Sequence, residues 1–254
     1  MIDIHSHILP TLDDGSKSEE ESLLMLKMAI EDGIRMIVAT PHYNHRYANE
    51  RSKILTEVNK LNKLIKENQL DIDILPGQEV RVYGELIDDY EAGKLLMINE
   101  HSNYMLIEFP SNHVPHYTER LLYEMELSGI KPVIAHPERN LELIKHPERL
   151  YNLVEKGALT QLTASSLTGF FGKEVQKFSK QLIDSNLIHT IATDAHNTTD
   201  RSFSMSQAYE VIIKRYGMSH VAYFKGNASS IITGEPVYGE QPHPVGRKKL
   251  FGFL

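Results

Sequence analysis

Short apolar, β-branched runs alternate along this chain with longer stretches of helical periodicity, the mark of repeated strand–helix units. Runs of strand character fall at residues 2–4, 36–40, 72–75, 104–109, 132–135, 159–163 and 188–193, which predicts seven strands. The segments between them read as amphipathic helices. Ser18 and Glu21 make a capping box, Leu23, Leu26 and Ile30 share one face, and Gly33 follows as a stop. Ile54, Val58, Leu61 and Ile65 repeat the pattern, as do Leu121, Leu122 and Met125 before Gly129, and later Val175, Phe178 and Leu182. Residues 83–97 read as an irregular insertion with a short helical piece. The stretch 165–172, S-S-L-T-G-F-F-G, reads as a flexible loop carrying an aromatic pair.

A boundary between domains needs a polar, Pro- or Gly-rich linker, and no such linker occurs before the last dozen residues. The expectation is one domain over 1–254, an α/β barrel, with about 243–254 a flexible basic tail. Loops that follow barrel strands carry the chemistry of such folds. The polar residues are distributed accordingly: D-I-H-S-H at 3–7, T-P-H at 40–42, G-Q-E at 77–79, I-E-F at 107–109, A-H-P-E-R at 135–139 and T-D-A-H at 193–196 each end a candidate strand. Strand ends on one barrel face meet in space although far apart in sequence, which is what a polynuclear metal site needs.

His5 and His7 alternate with Ile4 and Ser6, so both imidazoles leave an extended strand on one face. Asp194 and His196 form a second i, i+2 pair. Either pair alone is compatible with solvated surface groups, but together with His42, Glu79, Glu108 and His136 they point to metal. Glu108 interrupts the apolar run L-I-E-F, where an unpaired buried carboxylate is costly and a neighbouring cation would remove that cost. Asp13 and Asp14 precede Gly15; a turn role suits one of them, and at least one can reach the cluster. Arg139 and Arg201 each follow a ligand-type segment, where a guanidinium can grip two phosphoryl oxygens or form a local salt bridge. His45, His113, His116, His146, His189, His220 and His243 join no cluster and are expected at the surface or in support.

Composition narrows the chemistry. The chain has no cysteine, which removes disulfides, thiolate-bound metals and every thiolate nucleophile. Its net charge of −7 argues against a nonspecific polyanion binder, and no stable nucleic-acid partner is expected. No apolar stretch reaches the roughly 20 residues of a membrane span and no signal-like segment opens the chain, so membrane insertion is not expected and a cytoplasmic location is. Mixed nitrogen and oxygen ligation leaves Mn, Zn, Fe and Mg as candidates, the many oxygens favouring manganese.

The strings M-I-D-I-H-S-H-I-L-P-T-L-D-D-G-S, V-A-T-P-H-Y, L-P-G-Q-E-V, L-I-E-F-P, V-I-A-H-P-E-R and I-A-T-D-A-H-N resemble the polymerase and histidinol phosphatase (PHP) superfamily. Within it they resemble the bacterial manganese-dependent protein-tyrosine phosphatases of capsule and exopolysaccharide loci. The resemblance implies a distorted (β/α)₇ barrel with a trinuclear centre at the C-terminal ends of the strands. It implies that His5, His7 and Asp194 hold one ion, that Glu79 bridges it to a second held by Glu108 and His136, and that Asp14, His42 and His196 hold a third. It favours Asp14 over Asp13 and makes Arg139 and Arg201 the phosphate-binding arginines.

The resemblance implies hydrolysis of phosphotyrosine, with the tail of a bacterial tyrosine kinase as partner; His42, His196 or a bound water are candidate proton donors. A small-molecule phosphoesterase such as histidinol phosphatase shares the whole ligand set. A polymerase-associated nuclease and a noncatalytic metal-binding module are the remaining alternatives. The oligomeric state is not legible.

Overall fold

The computed structural model describes residues 1–246; the basic tail expected beyond Gly246 lies outside the described residues. Nine strands are present among them: β1 (Ile2–Ser6), β2 (Met36–Ala39), β3 (His42–Tyr43), β4 (Asp73–Pro76), β5 (Glu79–Arg81), β6 (Tyr104–Glu108), β7 (Lys131–Ala135), β8 (Leu159–Thr163) and β9 (Thr190–Ala192). They form a three-stranded sheet, β1-β2-β4, and a six-stranded sheet, β3-β5-β6-β7-β8-β9. Every named pairing is parallel.

Seven strands were expected, and the two additional ones continue expected strands past a break. Pro41 has no N–H to give the ladder after β2, and Gly77 follows β4 where a Cβ would stand 2.5 Å from Val38 Cγ1. Beyond those two residues the same neighbours pair again, His42 with Glu79. The break turns the chain so that His42 and Glu79 emerge side by side. The sheets are also joined at their other edges: Asp194 N–H donates to His5 O and His7 N–H to Ala195 O, both at 2.8 Å, around the Ser6–Ala195 bridge.

Two apolar layers follow from the alternation along the strands. Ile37, Ile107, Ile134 and Ile191 pack outward against the helices in the larger cluster. Ile4, Val38, Leu106, Val133 and Ala192 form a smaller one with Ala228, Ile231 and Ile232 of helix Met218–Thr233. Burying such side chains contributes roughly 1.5–3 kcal/mol each, which fixes the strands that carry polar groups at their ends. Among the described residues no helix is long and apolar enough to cross a membrane.

Two expectations need correction. The stretch 165–172 is not a loose loop: helix Ala164–Thr168 occupies its first half and a tight turn the second. The segment from 243 to 246, expected to begin a flexible tail, is attached, since His243 N–H donates to Ser185 O at 3.1 Å and Val245 packs on the core. The insertion at 83–97 does contain its short helix, Leu86–Glu91.

His189, just before β9, is buried rather than superficial. Its Nδ1 accepts the Thr160 N–H at 3.1 Å, and Thr160 Oγ1 lies at the same distance. Burial lowers its pKa from 6.5 to about 4. Between those values the unfolded chain binds a proton that the folded protein refuses, so stability is full above the unfolded pKa and falls as pH drops. We expect this group to cost roughly 2 kcal/mol of stability between pH 7 and pH 5. His189→Gln should lack that part of the pH slope in urea unfolding, and identical slopes for variant and wild type would acquit His189.

Candidate metal centre

The C-terminal strand ends bring together all nine residues expected as ligands. His5 Nε2 and His7 Nε2 are 3.2 Å apart, and Asp194 Oδ1 lies 3.3 Å from each. Glu79 reaches across the cluster: Oε2 is 3.4 Å from His5, 3.3 Å from His7 and 2.8 Å from His42 Nδ1, while Oε1 is 2.8 Å from His136 Nε2. Glu108 stands 3.8 Å from His136 and 3.9 Å from His42. Asp14 Oδ1 faces His42 Nε2 at 3.4 Å and His196 Nε2 at 3.7 Å. Four overlapping groups result, each with ligand atoms within 4.8 Å of one another: His5, His7 and Asp194; His5, Glu79 and His136; His42, Glu79 and Glu108; and His7, Asp14, His42 and His196.

Rings are aimed by partners behind them. His5 Nδ1–H donates to Gln161 Oε1 and His7 Nδ1–H to Asp13 Oδ2, each at 2.8 Å, so each Nε2 faces the cluster. His196 Nδ1–H donates to Asp194 O at 2.9 Å, which turns its Nε2 toward Asp14. Asp13 also accepts the backbone N–H of His42 and of Gly15 at 2.9 Å. The two aspartates therefore divide the work: Asp13 holds the frame and Asp14 faces the rings. Gly15 is obligatory here, since a Cβ would fall 2.1 Å from His7 O. His136 and Asp194 have positive φ, 34° and 54°, a backbone region uncommon outside glycine, asparagine, aspartate and histidine and frequent at functional sites.

The electrostatics describe a cluster built for cations. Burial alone would lower His5, but Glu79 and Asp194 raise it; burial opposes the rise of His7 too, which Asp13 drives. Burial, then Arg139, lowers His136 to about 4, and burial, then His7, lowers His196 to about 2. Glu108 is raised to about 7 by burial and the Glu79 carboxylate. Glu79 and Asp194 stay well below the usual carboxylate range despite burial, Glu79 through His5 and His42 and Asp194 through Arg139 and His5. His42 Nδ1, Glu79 Oε2, Glu108 Oε2 and His196 Nε2 are buried and make no hydrogen bond. His42 Nδ1 and Glu79 Oε2 are close but out of hydrogen-bond alignment, and Glu108 Oε2 has ion pairs with Arg81 at 2.8 Å and with His42 at 3.9 Å. Buried donor atoms that face one another without a hydrogen bond fit divalent ions, and the nitrogen and oxygen donor set suits them.

Both expected arginines are in place. Arg139 and Arg201 lie 2.8 and 2.9 Å from Asp194 Oδ2, the oxygen turned away from His5 and His7. They line a cavity of about 390 Å³ with Asp14, Glu108 and Phe171. Glu142, close to Arg139 in the sequence, pairs instead with Arg149. Sequence reasoning missed Gln161, Asp13 as an aiming group, and Arg81. The i, i+2 relation of Arg81 to Glu79 along β5 was the available signal for the last.

Parallel α/β architecture with a histidine–carboxylate cluster at the strand ends fits a hydrolase of the metal-dependent class. A family model described as "Capsular polysaccharide synthesis, CpsB/CapC" matches residues 1–233, and the chain belongs to the CpsB/CapC family. It is 45% identical over 255 residues to tyrosine-protein phosphatase YwqE of Bacillus subtilis (strain 168), covering 100% of both chains. It is 33% identical over 223 residues to tyrosine-protein phosphatase CpsB of Streptococcus pneumoniae, covering 85% of this chain and 91% of that one. A crystal structure from work on those two proteins, described as unique metal-dependent tyrosine phosphatases, matches with a TM-score of 0.95 at 44% identity, covering 97% of this chain and 100% of that one.

Asp13→Asn weakens the acceptor that aims His7 and leaves its size unchanged. We expect manganese affinity, measured by calorimetric titration, to fall roughly 10- to 100-fold with the fold retained. Undiminished affinity would remove Asp13 from the support of the site.

Proposed function

We propose that this chain is a metal-dependent protein-tyrosine phosphatase. One observation carries the reading: buried lone pairs of histidines and carboxylates converge beside two arginines in an open cavity, in a chain with no cysteine and full-length similarity to YwqE. The finer architecture we propose is a single PHP-type domain, a distorted seven-stranded barrel whose strands are β1, β2 with β3, β4 with β5, and β6 to β9. The nine clustered residues hold two or three divalent ions, with manganese favoured by the oxygen-rich set.

Bound ions at that place would supply Lewis-acid stabilisation of phosphoryl oxygens and a strongly acidified water. The chain's own residues do the rest. Arg139 and Arg201 hold nonbridging oxygens of the substrate and stabilise charge that grows in the transition state. Glu79 and Asp194 are ionised acceptors, and Gln161 and Asp13 keep the rings of His5 and His7 turned inward. His42 and His196, considered above as proton donors, act in this reading as ligands, since Nε2 of each faces Asp14. Tyrosine's phenolic pKa of about 10 makes its oxygen a better leaving group than a serine alkoxide, so a strong general acid is not required. The substrate is a phosphotyrosine-bearing protein, and the tail of a cytoplasmic-side bacterial tyrosine kinase in exopolysaccharide synthesis fits the family's association with capsule.

Exhaustive chelation should abolish turnover of a phosphotyrosine peptide, manganese should restore it, and thiol-alkylating reagents should leave it unchanged. Activity that survives chelation would refute the metal assignment.

Arg139→Ala should lower kcat/KM on that peptide by about two orders of magnitude while elemental analysis finds its metal retained. The wild type should prefer phosphotyrosine over phosphoserine and phosphothreonine in the same peptide. Equal kcat/KM for all three, with faster hydrolysis of histidinol phosphate, would transfer the assignment to a small-molecule phosphoesterase.

A further inference from the structure

The helix Ala164–Thr168 and the turn after it are tied to the segment bearing Arg139. Glu138, its neighbour in the chain, is fully buried, and its Oε1 accepts the Thr163 N–H at 3.0 Å and the Ser166 hydroxyl at 2.7 Å. Gly169 and Gly172, with φ of 93° and 91°, bracket the aromatic pair. Gly172 N–H donates to Gly169 O at 3.0 Å, and Gln176 Nε2 donates to Leu167 O at 2.8 Å. The turn thus holds a fixed pose. Phe171 lies with its ring centroid 5.0 Å from the Arg139 guanidinium carbon, and Phe170 meets it edge to face at 5.0 Å and 84°.

Two phenyl rings line the cavity, Phe109 and Phe171. Phe109 is buried and Phe171 is partly exposed, so Phe171 supplies the aromatic surface that a ligand can reach. Phe171 lies against the Arg139 guanidinium, so a phosphate ester held by that arginine has this ring within reach of its substituent. Such a substituent gains from contact with Phe171 if it is an aromatic ring, because ring pairs attract beyond their area burial. A short alkyl group gains little.

We propose that Phe171 is a specificity-determining residue that packs on the aryl group of the phosphate ester, so that recognition of phosphotyrosine rests on this ring as well as on leaving-group chemistry. The inference rests on the phosphatase reading above. A competing role, in which Phe171 only holds Arg139 in place, predicts that all phosphoryl ligands suffer alike when it is changed.

The test uses the manganese-loaded protein and two nonhydrolysable probes, phenylphosphonate and methylphosphonate, with binding followed by calorimetry. Phe171→Leu, which keeps apolar bulk and removes the aromatic face, should weaken phenylphosphonate roughly 2- to 12-fold and leave methylphosphonate within about twofold. Phe171→Tyr should restore phenylphosphonate binding. Equal weakening of both probes, or weakening of neither, would overturn the inference. Wild-type turnover of a phosphotyrosine peptide, measured on the same preparation, separates the two readings. If the wild type turns over and the probes lose equally, only the role of Phe171 fails; if the wild type does not turn over, the phosphatase reading fails and takes this inference with it.

Discussion

The Asp194 carboxylate is the point on which the mouth of this fold depends, because its two oxygens face different chemistry. Oδ1 looks at His5 and His7, and Oδ2 takes both arginines. A buried carboxylate needs compensating charge, and here that charge comes from both sides at once. The histidine–carboxylate cluster and the two arginines are therefore one electrostatic unit. The contacts of Asp194 to Arg139 and Arg201 keep both guanidiniums oriented at the cavity they line.

Backbone geometry brings Asp194 to that point. The Asp194 N–H donates to His5 O, so the last strand and the first meet where their side chains matter most. On the opposite side of the cluster, the breaks at Pro41 and Gly77 let His42 and Glu79 emerge as direct neighbours. Apolar layers above and below hold these polar strand ends without touching the chemistry. Stability is drawn from Ile, Val and Leu contacts along the strands, while the ends are free to carry groups that repel one another until cations join them.

Much of this was legible in the sequence. Apolar runs marked all seven expected strand positions because burial on both faces demands continuous hydrophobicity, and the ligand-type residues stood out as polar groups ending those runs. The split of two strands was not visible, since Pro41 and Gly77 each read equally well as the end of a strand. Asp13 and Asp14 were indistinguishable by type; the resemblance favoured Asp14, and the loop's path shows why, since it turns Asp13 onto His7. The stretch 165–172 misled for a physical reason: serine, threonine and glycine have weak local preferences, and the tie that makes it helical comes from Glu138, distant in sequence. Arg81 and Gln161 escaped notice because each serves a residue on a different strand, Glu108 on β6 and His5 on β1.

Positive φ at His136 and Asp194 has a consequence for the variation this site can accept. Left-handed backbone is tolerated by short polar residues such as aspartate, asparagine and histidine, and resisted by longer or branched ones. At position 194 the main chain thus screens substitutions before coordination does. Glutamate offers the same charge and oxygens, yet it is the poorer replacement on conformational grounds alone. Divergence at these two positions is restricted by peptide geometry as well as by chemistry.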